Sequence, residues 1–374
     1  MTKIKFGESF ISKESKAHID DCIARNYVTM GTKTKQLEDL WAKKFGYKSV
    51  KAVSSGTAAC IAALLTLYDL KNAKPGDEVI VPGLSFIATA NAVRAAGFTP
   101  VFCDVNVNLV IEEHFIESLI TERTVAIMPV SLMGKPPKMD FIRGVADKHK
   151  LILILDNCEG HGCKYQDKYM SEWADIVVYS CYAAHILFSG ELGLVGCKTE
   201  EIGDLVESVR SHGRKPRSLY FSHERFGLNL KCTDIHASIG LGNMAYFDSI
   251  LETRKKNLQF LEDNLQNNYF LTVKEDYLDY NSPHAFSMTV ASNVDNPLKI
   301  DGLKGLLTGA DIEWKRNFGA MPDHRCFSYL NKPGSCPIST YIGNQGIHVG
   351  VHQELSTGDL ERIVEVINNY LNTL

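Results

Sequence analysis

Leu151-Ile152-Leu153-Ile154-Leu155-Asp156 is a run of five branched apolar residues that ends in a carboxylate. A run of this length and composition is typical of a β-strand that is buried on both faces. Such strands occur in parallel sheets whose two faces are covered by helices. The run therefore predicts a strand inside an α/β structure, with Asp156 at the carboxyl end of that strand.

Similar apolar segments lie on both sides of this run and alternate with helix-like segments from about residue 50 to 200. The predicted strands are residues 78–82, 100–104, 125–130, 151–155 and 175–179, and the predicted helices include residues 58–67 and 88–96. This alternation predicts a mainly parallel sheet covered by helices. Ligands of such sheets bind beyond the carboxyl ends of the strands, so Asp156 is expected to face the ligand crevice.

The pattern changes after about residue 245. A charged helix-like segment, residues 251–267, precedes turn-rich sequence with strand-like segments, and an amphipathic helix is predicted at residues 357–371. We expect residues 1–245 to form an N-terminal arm, with a helix at residues 12–26, and a large domain. Residues 246–374 are expected to form a smaller C-terminal α+β domain.

Composition excludes several classes of protein. The 374 residues are 45% hydrophobic and 22% charged, which is ordinary globular composition, and the net charge of -4 gives no indication of a nucleic-acid partner. The apolar runs are too short to span a membrane, and residues 1–8 lack the apolar core of a signal peptide.

Ten cysteines without a C-x-x-C pair are typical of reduced, cytoplasmic thiols. Cys158, His161 and Cys163 lie close together, but no second ligand pair exists, so no metal is predicted.

Three short segments carry polar groups that point to chemistry. Ser54-Ser55-Gly56-Thr57 opens the predicted helix at residues 58–67, where free N–H groups suit a phosphate, although a serine N-cap alone gives the same pattern. Asp156 is either a ligand contact or a turn residue. His185 follows the strand at residues 175–179 and is either structural or a proton carrier.

Taken together and in order, these segments resemble the sugar-nucleotide aminotransferase family of fold-type-I vitamin B6 enzymes, over essentially the whole chain. The matching segments are residues 55–57, 75–82, 156–159, 180–185, 190–193, 226–231 and 233–234. The resemblance implies an α/β fold of the aspartate-aminotransferase type, with a large, mainly parallel seven-stranded sheet and a smaller C-terminal α+β domain. It also implies pyridoxal or pyridoxamine 5′-phosphate as the cofactor.

The resemblance assigns roles to residues at matching positions. Gly56 and Thr57 would hold the cofactor phosphate with the help of Ser180. Asn229 would reach the phosphate of the neighbouring subunit, because sites of this family lie at the interface of a homodimer.

The same resemblance places three residues around the pyridine ring. Phe86 would stack on the ring, Glu159 would lie near the ring hydroxyl, and Asp156 would pair with the protonated ring nitrogen. That pairing keeps the ring an electron sink.

One departure from the family concerns His185, which stands where the aminotransferases carry the lysine that binds the cofactor covalently. No lysine lies between Lys168 and Lys198. An imidazole cannot hold the cofactor by that link, but it can move a proton near neutral pH. A histidine here is the hallmark of a 3-dehydratase branch, which removes the C3 hydroxyl of 4-keto-6-deoxy sugar nucleotides and binds its cofactor non-covalently. L-glutamate would be the amino donor, and ammonia would be released.

That branch has one type with an iron–sulfur cluster and one without. Cys232, Cys326 and Cys336 are too isolated to ligate a cluster. The chain is similar to the cluster-free type, which acts on GDP-4-keto-6-deoxymannose in the supply of dideoxysugars for lipopolysaccharide O-antigen, at residues 27–31, 156–159 and 350–353. It departs from the family's arginine-proline pattern at residues 314–316, which leaves the exact sugar and nucleotide open.

Weaker indications concern the substrate. The resemblance places Thr29 and His212 near it. The basic residues Arg210, Arg214, Lys215 and Arg217 are expected either to meet the nucleotide diphosphate or to form a solvated loop.

Two other functions compete with dehydration. A sugar aminotransferase with an unusual base would give an amino sugar and no free ammonia. An inactive relative that binds the cofactor as a scaffold is permitted by the missing lysine. Retention of Asp156, Ser180 and Asn229 argues against it.

Overall fold

The centre of the chain is a seven-stranded sheet, seen in a computed structural model that describes residues 2–216, 222–292, 297–330 and 334–374. The strands of this part of the chain are β1 (Ser49–Val53), β2 (Glu78–Pro82), β3 (Thr99–Cys103), β4 (Thr124–Ile127), β5 (Ile152–Asp156), β6 (Lys164–Tyr165), β7 (Lys168–Tyr169), β8 (Ile176–Ser180) and β9 (Gly193–Cys197). The sheet has the order β1-β9-β8-β5-β4-β2-β3, and β6 pairs with β7. β9 is antiparallel to both neighbours, while β8, β5, β4, β2 and β3 pair in parallel. The predicted mainly parallel sheet is confirmed.

Helices cover both faces of this sheet. They are α1 (Lys13–Ala24), α2 (Thr32–Phe45), α3 (Gly56–Leu65), α4 (Leu67–Leu70), α5 (Ala88–Ala95), α6 (Glu113–Ile116), α7 (Met139–Lys148), α8 (Met170–Trp173), α9 (Glu200–Val209) and α10 (Asp234–Asn243). Strand β5 demonstrates the two-sided burial that its sequence predicts. Leu153 and Leu155 lie in the core that contains Trp41, whereas Ile154 lies in the core on the opposite face. The strand therefore ends with Asp156 at the edge of two apolar layers.

A second, four-stranded antiparallel sheet follows in the C-terminal part of the chain. Its strands are β10 (Phe270–Leu271), β11 (Ala285–Val290), β12 (Trp314–Arg316) and β13 (Gly346–Gly350), in the order β10-β11-β13-β12. The helices here are α11 (Phe247–Asn264), α12 (Ile300–Gly309), α13 (Pro337–Gln345) and α14 (Thr357–Leu371). The bounds of α14 agree with the predicted helix, and α11 begins four residues before the predicted one.

The long helix α11 connects the two apolar cores. Phe247 and Leu251 pack in the core of the seven-stranded sheet, and Leu261 packs in the core of the four-stranded sheet. Ile4 also lies in the second core and bridges to Ile312, so the chain start packs against the C-terminal part. A domain boundary near residue 245 stays a proposal, supported by this change of core.

The expectation that Arg210 meets a nucleotide diphosphate or lies in a solvated loop is wrong. Its side chain is only 4% exposed and forms an ion pair with the equally buried Glu38 at 2.6 Å and one with Glu207 at 2.5 Å. It also donates to the carbonyl of Ala52 at 2.7 Å. Arg210 therefore joins α9 to α2 and β1 and does not face a nucleotide. Arg217 lies outside the described residues.

No helix in the described part of the chain is both long and apolar enough to cross a membrane. All ten cysteines are free thiols.

Candidate active site

A cavity of about 500 Å³ lies beyond the carboxyl ends of β5 and β8, where the two sheets meet. Its walls come from the α3 and α5 regions on one side and from β12 and β13 on the other. Among the predicted site residues, those that line it are Gly56, Thr57, Phe86, Asp156, Glu159, Ser180 and His185. The structure thus brings together side chains that are up to about a third of the chain apart in sequence.

One end of the cavity is the N-terminus of α3. Ser55 is the N-cap, and its hydroxyl accepts from the backbone N–H of Ala58 at 3.1 Å. A Cβ atom on Gly56 would lie 2.5 Å from the Cβ of Ser180, so only glycine lets α3 begin against the end of β8. The N–H groups of the first helical turn and the helix dipole favour an anion beside Gly56, Thr57 and Ser180. The serine cap is confirmed, and anion binding at the same turn stays a prediction.

The floor of the cavity is the carboxylate of Asp156, which is 5% exposed. The hydroxyl of Thr89 donates to it at 2.8 Å, and the backbone N–H of Cys158 donates at 3.2 Å. The thiol of Cys60 lies at 3.8 Å. Three donors from α5, α3 and the following turn therefore fix the orientation of this carboxylate. A buried carboxylate held in this way can pair with a cationic ring nitrogen.

Phe86 presents its ring to the cavity. The residue is 58% exposed although it lies in a concave site, and its ring centroid is 6.2 Å from that of Phe318. An exposed phenyl ring above a buried carboxylate offers a face for stacking a flat heteroaromatic ligand.

His185 lies in the loop between β8 and β9, with its backbone N–H bonded to the carbonyl of Tyr182 at 2.9 Å. Its ring centroid is 5.8 Å from that of His161 and 5.2 Å from that of His284. Its Nδ1 atom is buried and has no hydrogen-bond partner among the described residues. Burial, and then the charges of His161, Arg254 and Lys315, hold the pKa of His185 well below its ordinary value. The imidazole is therefore neutral near pH 7 and can accept a proton.

Glu159 lies between the floor and the histidines. Its carboxylate accepts from the backbone N–H of Met133 at 2.7 Å, and it lies 3.6 Å from Nε2 of His284. Burial raises the pKa of Glu159 to about 8, and the nearby charge of Asp156 adds to that rise. Glu159 therefore carries a proton at neutral pH and can donate a hydrogen bond.

The C-terminal part of the chain supplies cavity residues that were not predicted individually. They are His284, Lys315, Arg316, Phe318 and His348, together with Phe6 from the chain start. Lys315 faces His348 across the β12–β13 pair, and its amine lies 4.2 Å above the Phe6 ring. The only sequence signal was the unusual Trp314-Lys315-Arg316 segment, which departs from the family pattern where it forms the cavity wall.

Three predicted residues, Thr29, His212 and Asn229, are exposed and do not line the cavity of their own chain. Ser211 forms a β-bridge with Asn229, which brings His212 and Asn229 to the same surface. The backbone of Leu230 accepts from the N–H of Ser54, so this surface lies beside the segment that leads into α3. Their assignment to the site stays a prediction.

Comparison with known proteins covers nearly the whole chain. Residues 9–368 match the DegT/DnrJ/EryC1/StrS aminotransferase family. The chain is 28% identical to the GDP-perosamine synthase of Caulobacter vibrioides, over 95% of this chain and 94% of the synthase. It is 26% identical to the GDP-4-keto-6-deoxy-D-mannose 3-dehydratase of Escherichia coli O55:H7, over 91% of this chain and 92% of the dehydratase.

The fold is also shared with solved structures. The E. coli GDP-4-keto-6-deoxy-D-mannose 3-dehydratase with bound hydrated PLP superposes with a TM-score of 0.89 at 24% identity, over 98% of this chain and 100% of the other. The predicted α/β fold of the aspartate-aminotransferase type is confirmed.

The raised pKa of Glu159 predicts a pH-dependent stability. A carboxyl group whose pKa rises from 4.5 in the unfolded chain to about 8 in the folded chain binds its proton more tightly when folded. Folding stability is therefore lost as the pH rises from about 5 to 8. In the cofactor-free protein, Glu159→Gln should match the wild type at pH 5 and melt at least about 3 °C higher at pH 8.5. Melting temperatures across this range test it, with the exposed Glu361→Gln as the control. Parallel curves for the wild type and Glu159→Gln would show that Glu159 is ionised in the folded protein.

Proposed function

We propose that the chain, which belongs to the DegT/DnrJ/EryC1/StrS aminotransferase family, is a 3-dehydratase of a nucleotide-linked 4-keto-6-deoxy sugar. The proposed substrate is GDP-4-keto-6-deoxymannose, and L-glutamate is the amino donor. The products are a 3-deoxy-4-keto sugar nucleotide, 2-oxoglutarate and ammonia. We place the reaction in the cytoplasm, in the supply of dideoxysugars for lipopolysaccharide O-antigen.

The residues of the cavity fit pyridoxal or pyridoxamine 5′-phosphate as a non-covalently bound cofactor. When bound, the cofactor supplies an electron sink for bond cleavage next to the substrate's carbonyl carbon. Gly56, Thr57 and Ser180 would hold the phosphate at the start of α3. Phe86 would cover one face of the ring, Asp156 would hold the ring nitrogen protonated, and Glu159 would donate to the ring hydroxyl.

The observation that carries the proposal is the partly buried, neutral imidazole of His185 in the cavity wall. The loop from residue 181 to 192 contains no amine that could take its place. His185 removes a proton from the C4′ carbon of the cofactor, and its neutral state near pH 7 suits this task. A positioned general base contributes a factor of roughly 10²–10⁴ to rate. The similarity to the E. coli O55:H7 3-dehydratase supports the same chemistry.

A sugar aminotransferase is the second candidate. The similarity to GDP-perosamine synthase, at 28% identity, favours it. In that case the product would keep its C3 hydroxyl and carry a stable amino group. His185 argues for dehydration because it lacks the primary amine by which lysine binds the cofactor aldehyde.

We further propose a homodimer with shared active sites. Asn229 and His212 are exposed beside the segment that opens α3, and Asn229 does not line the cavity of its own chain. In this proposal the exposed amide of Asn229 would complete the phosphate site of a partner subunit. Thr29 and His212 would then meet the substrate at the same interface.

A product assay tests the proposed reaction. The enzyme is supplied with GDP-4-keto-6-deoxymannose, L-glutamate and pyridoxal phosphate. The expected products are ammonia and a sugar nucleotide that has lost the C3 oxygen, identified by mass spectrometry and NMR. Asp156→Asn should reduce the rate by about 100-fold or more, because an amide cannot hold the ring nitrogen protonated. Accumulation of an amino sugar with its C3 hydroxyl would establish the aminotransferase instead.

Subunit mixing tests the shared site. His185→Asn and Asn229→Ala chains, each inactive alone, are exchanged and the hybrids are confirmed by native mass spectrometry. If sites are shared, each hybrid dimer has one site with both His185 and Asn229 intact, so activity returns. Hybrids without activity would place both residues in the site of a single subunit, or Asn229 in no site.

A further inference from the structure

The guanidinium of Arg254 is buried without an acidic partner. The residue, on α11, is 1% exposed, and its hydrogen bonds within the described residues go to uncharged carbonyl and amide oxygens. Burial lowers the pKa of Arg254 to about 10, so the group stays charged at neutral pH. A buried charge without an ionic partner is energetically unfavourable, so the hydrogen bonds of the Arg254 guanidinium show which groups stabilise it.

Those hydrogen bonds lead to the loop that carries His185. Nη1 donates to the carbonyl of Ala184 at 2.9 Å, and Nη2 donates to the carbonyl of His185 at 3.1 Å. Nε donates to the side chain of Gln353 at 3.3 Å. The planar, rigid fork of an arginine therefore holds two successive carbonyls in one orientation, which a lysine cannot do.

The same helix anchors a second segment that contributes to this arrangement. Asn257, three residues further along α11, donates to the carbonyls of Val351 and His352 at 3.3 and 3.0 Å. Gln353, which orients the Arg254 guanidinium, is the next residue in that segment. Arg254 and Asn257 of α11 thus hydrogen-bond both to the loop that carries His185 and to the segment that follows β13.

We propose that Arg254 is a positioning residue that fixes the main chain at Ala184 and His185 and so aims the His185 imidazole into the cavity. The inference rests on the role of His185 in the proposed function. The loop between β8 and β9 is also held at Leu187, whose backbone N–H donates to Nδ1 of His161 at 3.3 Å. The side chain of His185 makes no hydrogen bond through Nδ1 within the described residues, so the direction of its ring depends on the main chain that Arg254 contacts. A shift of the reacting atoms by 1 Å can cost about 10²-fold in rate.

The charge of Arg254 has a second effect on His185. The groups that face this imidazole are His161, His284, Lys315 and Arg254. After burial and His161, the positive charge of Arg254 disfavours the imidazolium, and Lys315 acts in the same direction. Loss of the Arg254 charge should therefore raise the pKa of His185 and move the acid limb of the pH–rate profile to higher pH.

Two variants separate the two effects. Arg254→Met removes the charge and the hydrogen bonds, while Arg254→Lys keeps a charge but cannot bridge both carbonyls. Arg362→Lys is the matched control, because Arg362 also donates to main-chain carbonyls, those of Thr2 and Ala310, away from the cavity. We expect kcat to fall by about 10- to 100-fold in both Arg254 variants and to stay unchanged in the control. The acid limb of kcat/KM should move upward in Arg254→Met.

NMR of the cofactor-free protein, with ¹³C-labelled histidine, gives a readout that needs no turnover. The His185 signal is assigned by its loss in His185→Asn, and its titration should move to higher pH in Arg254→Met. If the sugar product were an amino sugar, the proposed function would fail while this shift remained. Wild-type kcat in Arg254→Lys together with an unmoved His185 titration in Arg254→Met would overturn the inference. If Arg254→Met does not fold, wild-type kcat in the folded Arg254→Lys variant is sufficient to overturn it.

Discussion

The carboxylate of Asp156 lies at the end of a strand that is otherwise buried among apolar side chains, so it requires polar partners. The cavity is formed by the segments that supply these partners. Asp156 ends β5, whose side chains lie in the two main apolar cores. The partners come from α5, through Thr89, and from the turn that continues into Glu159. Because these elements must meet at Asp156, the start of α3 and the end of β8 are brought to the same place, and only a glycine at position 56 fits between them. The start of α3, the carboxylate of Asp156 and the loop that carries His185 therefore meet in one cavity.

The protonation states of His185 and Glu159 depend on groups that come from both parts of the chain. The part of the chain with the seven-stranded sheet supplies the carboxylates and His185, whereas the C-terminal part supplies the cationic groups Arg254 and Lys315 and the imidazole of His284. Burial, to which the nearby positive charges add, keeps His185 neutral, and burial beside Asp156 keeps Glu159 protonated. A cavity with a neutral base on one wall and a protonated acid below it is suited to moving protons without a covalent link from the chain to its cofactor.

The parts of the structure that sequence predicted are those that local patterns determine. Strand β5, with Asp156 at its end, follows from an uninterrupted apolar run. Helix α14 follows from its apolar periodicity and the serine at its start, which forms a capping box with Asp359. The residues that line the N-terminal side of the cavity follow from short motifs, because each motif lies at the end of a strand or the start of a helix.

The parts that were missed depend on contacts between distant segments. Strand β9 contains two glycines and β1 has a lysine at its centre, so neither shows the uninterrupted apolar run that predicts β5. Arg210 belongs to a basic stretch in sequence, yet its partner Glu38 is 172 residues away. Arg254 has the appearance of one charged residue among several on a helix, and its link to the His185 loop spans about 70 residues.

The central claim, that His185 moves the proton at C4′, is tested most directly by the loss of a labelled hydrogen from that carbon. Wild-type enzyme and His185→Asn are loaded with pyridoxamine phosphate that carries deuterium in place of both C4′ hydrogens, given the keto-sugar nucleotide in ordinary water, and denatured. The released cofactor is then examined by mass spectrometry. Asparagine keeps a hydrogen-bonding side chain but cannot accept a proton near neutral pH. We predict that the cofactor loses one C4′ deuterium per turnover in the wild type and keeps both in the variant, with cofactor affinity unchanged. Loss of this deuterium at the wild-type rate in His185→Asn would contradict the account, because another group would then be the base.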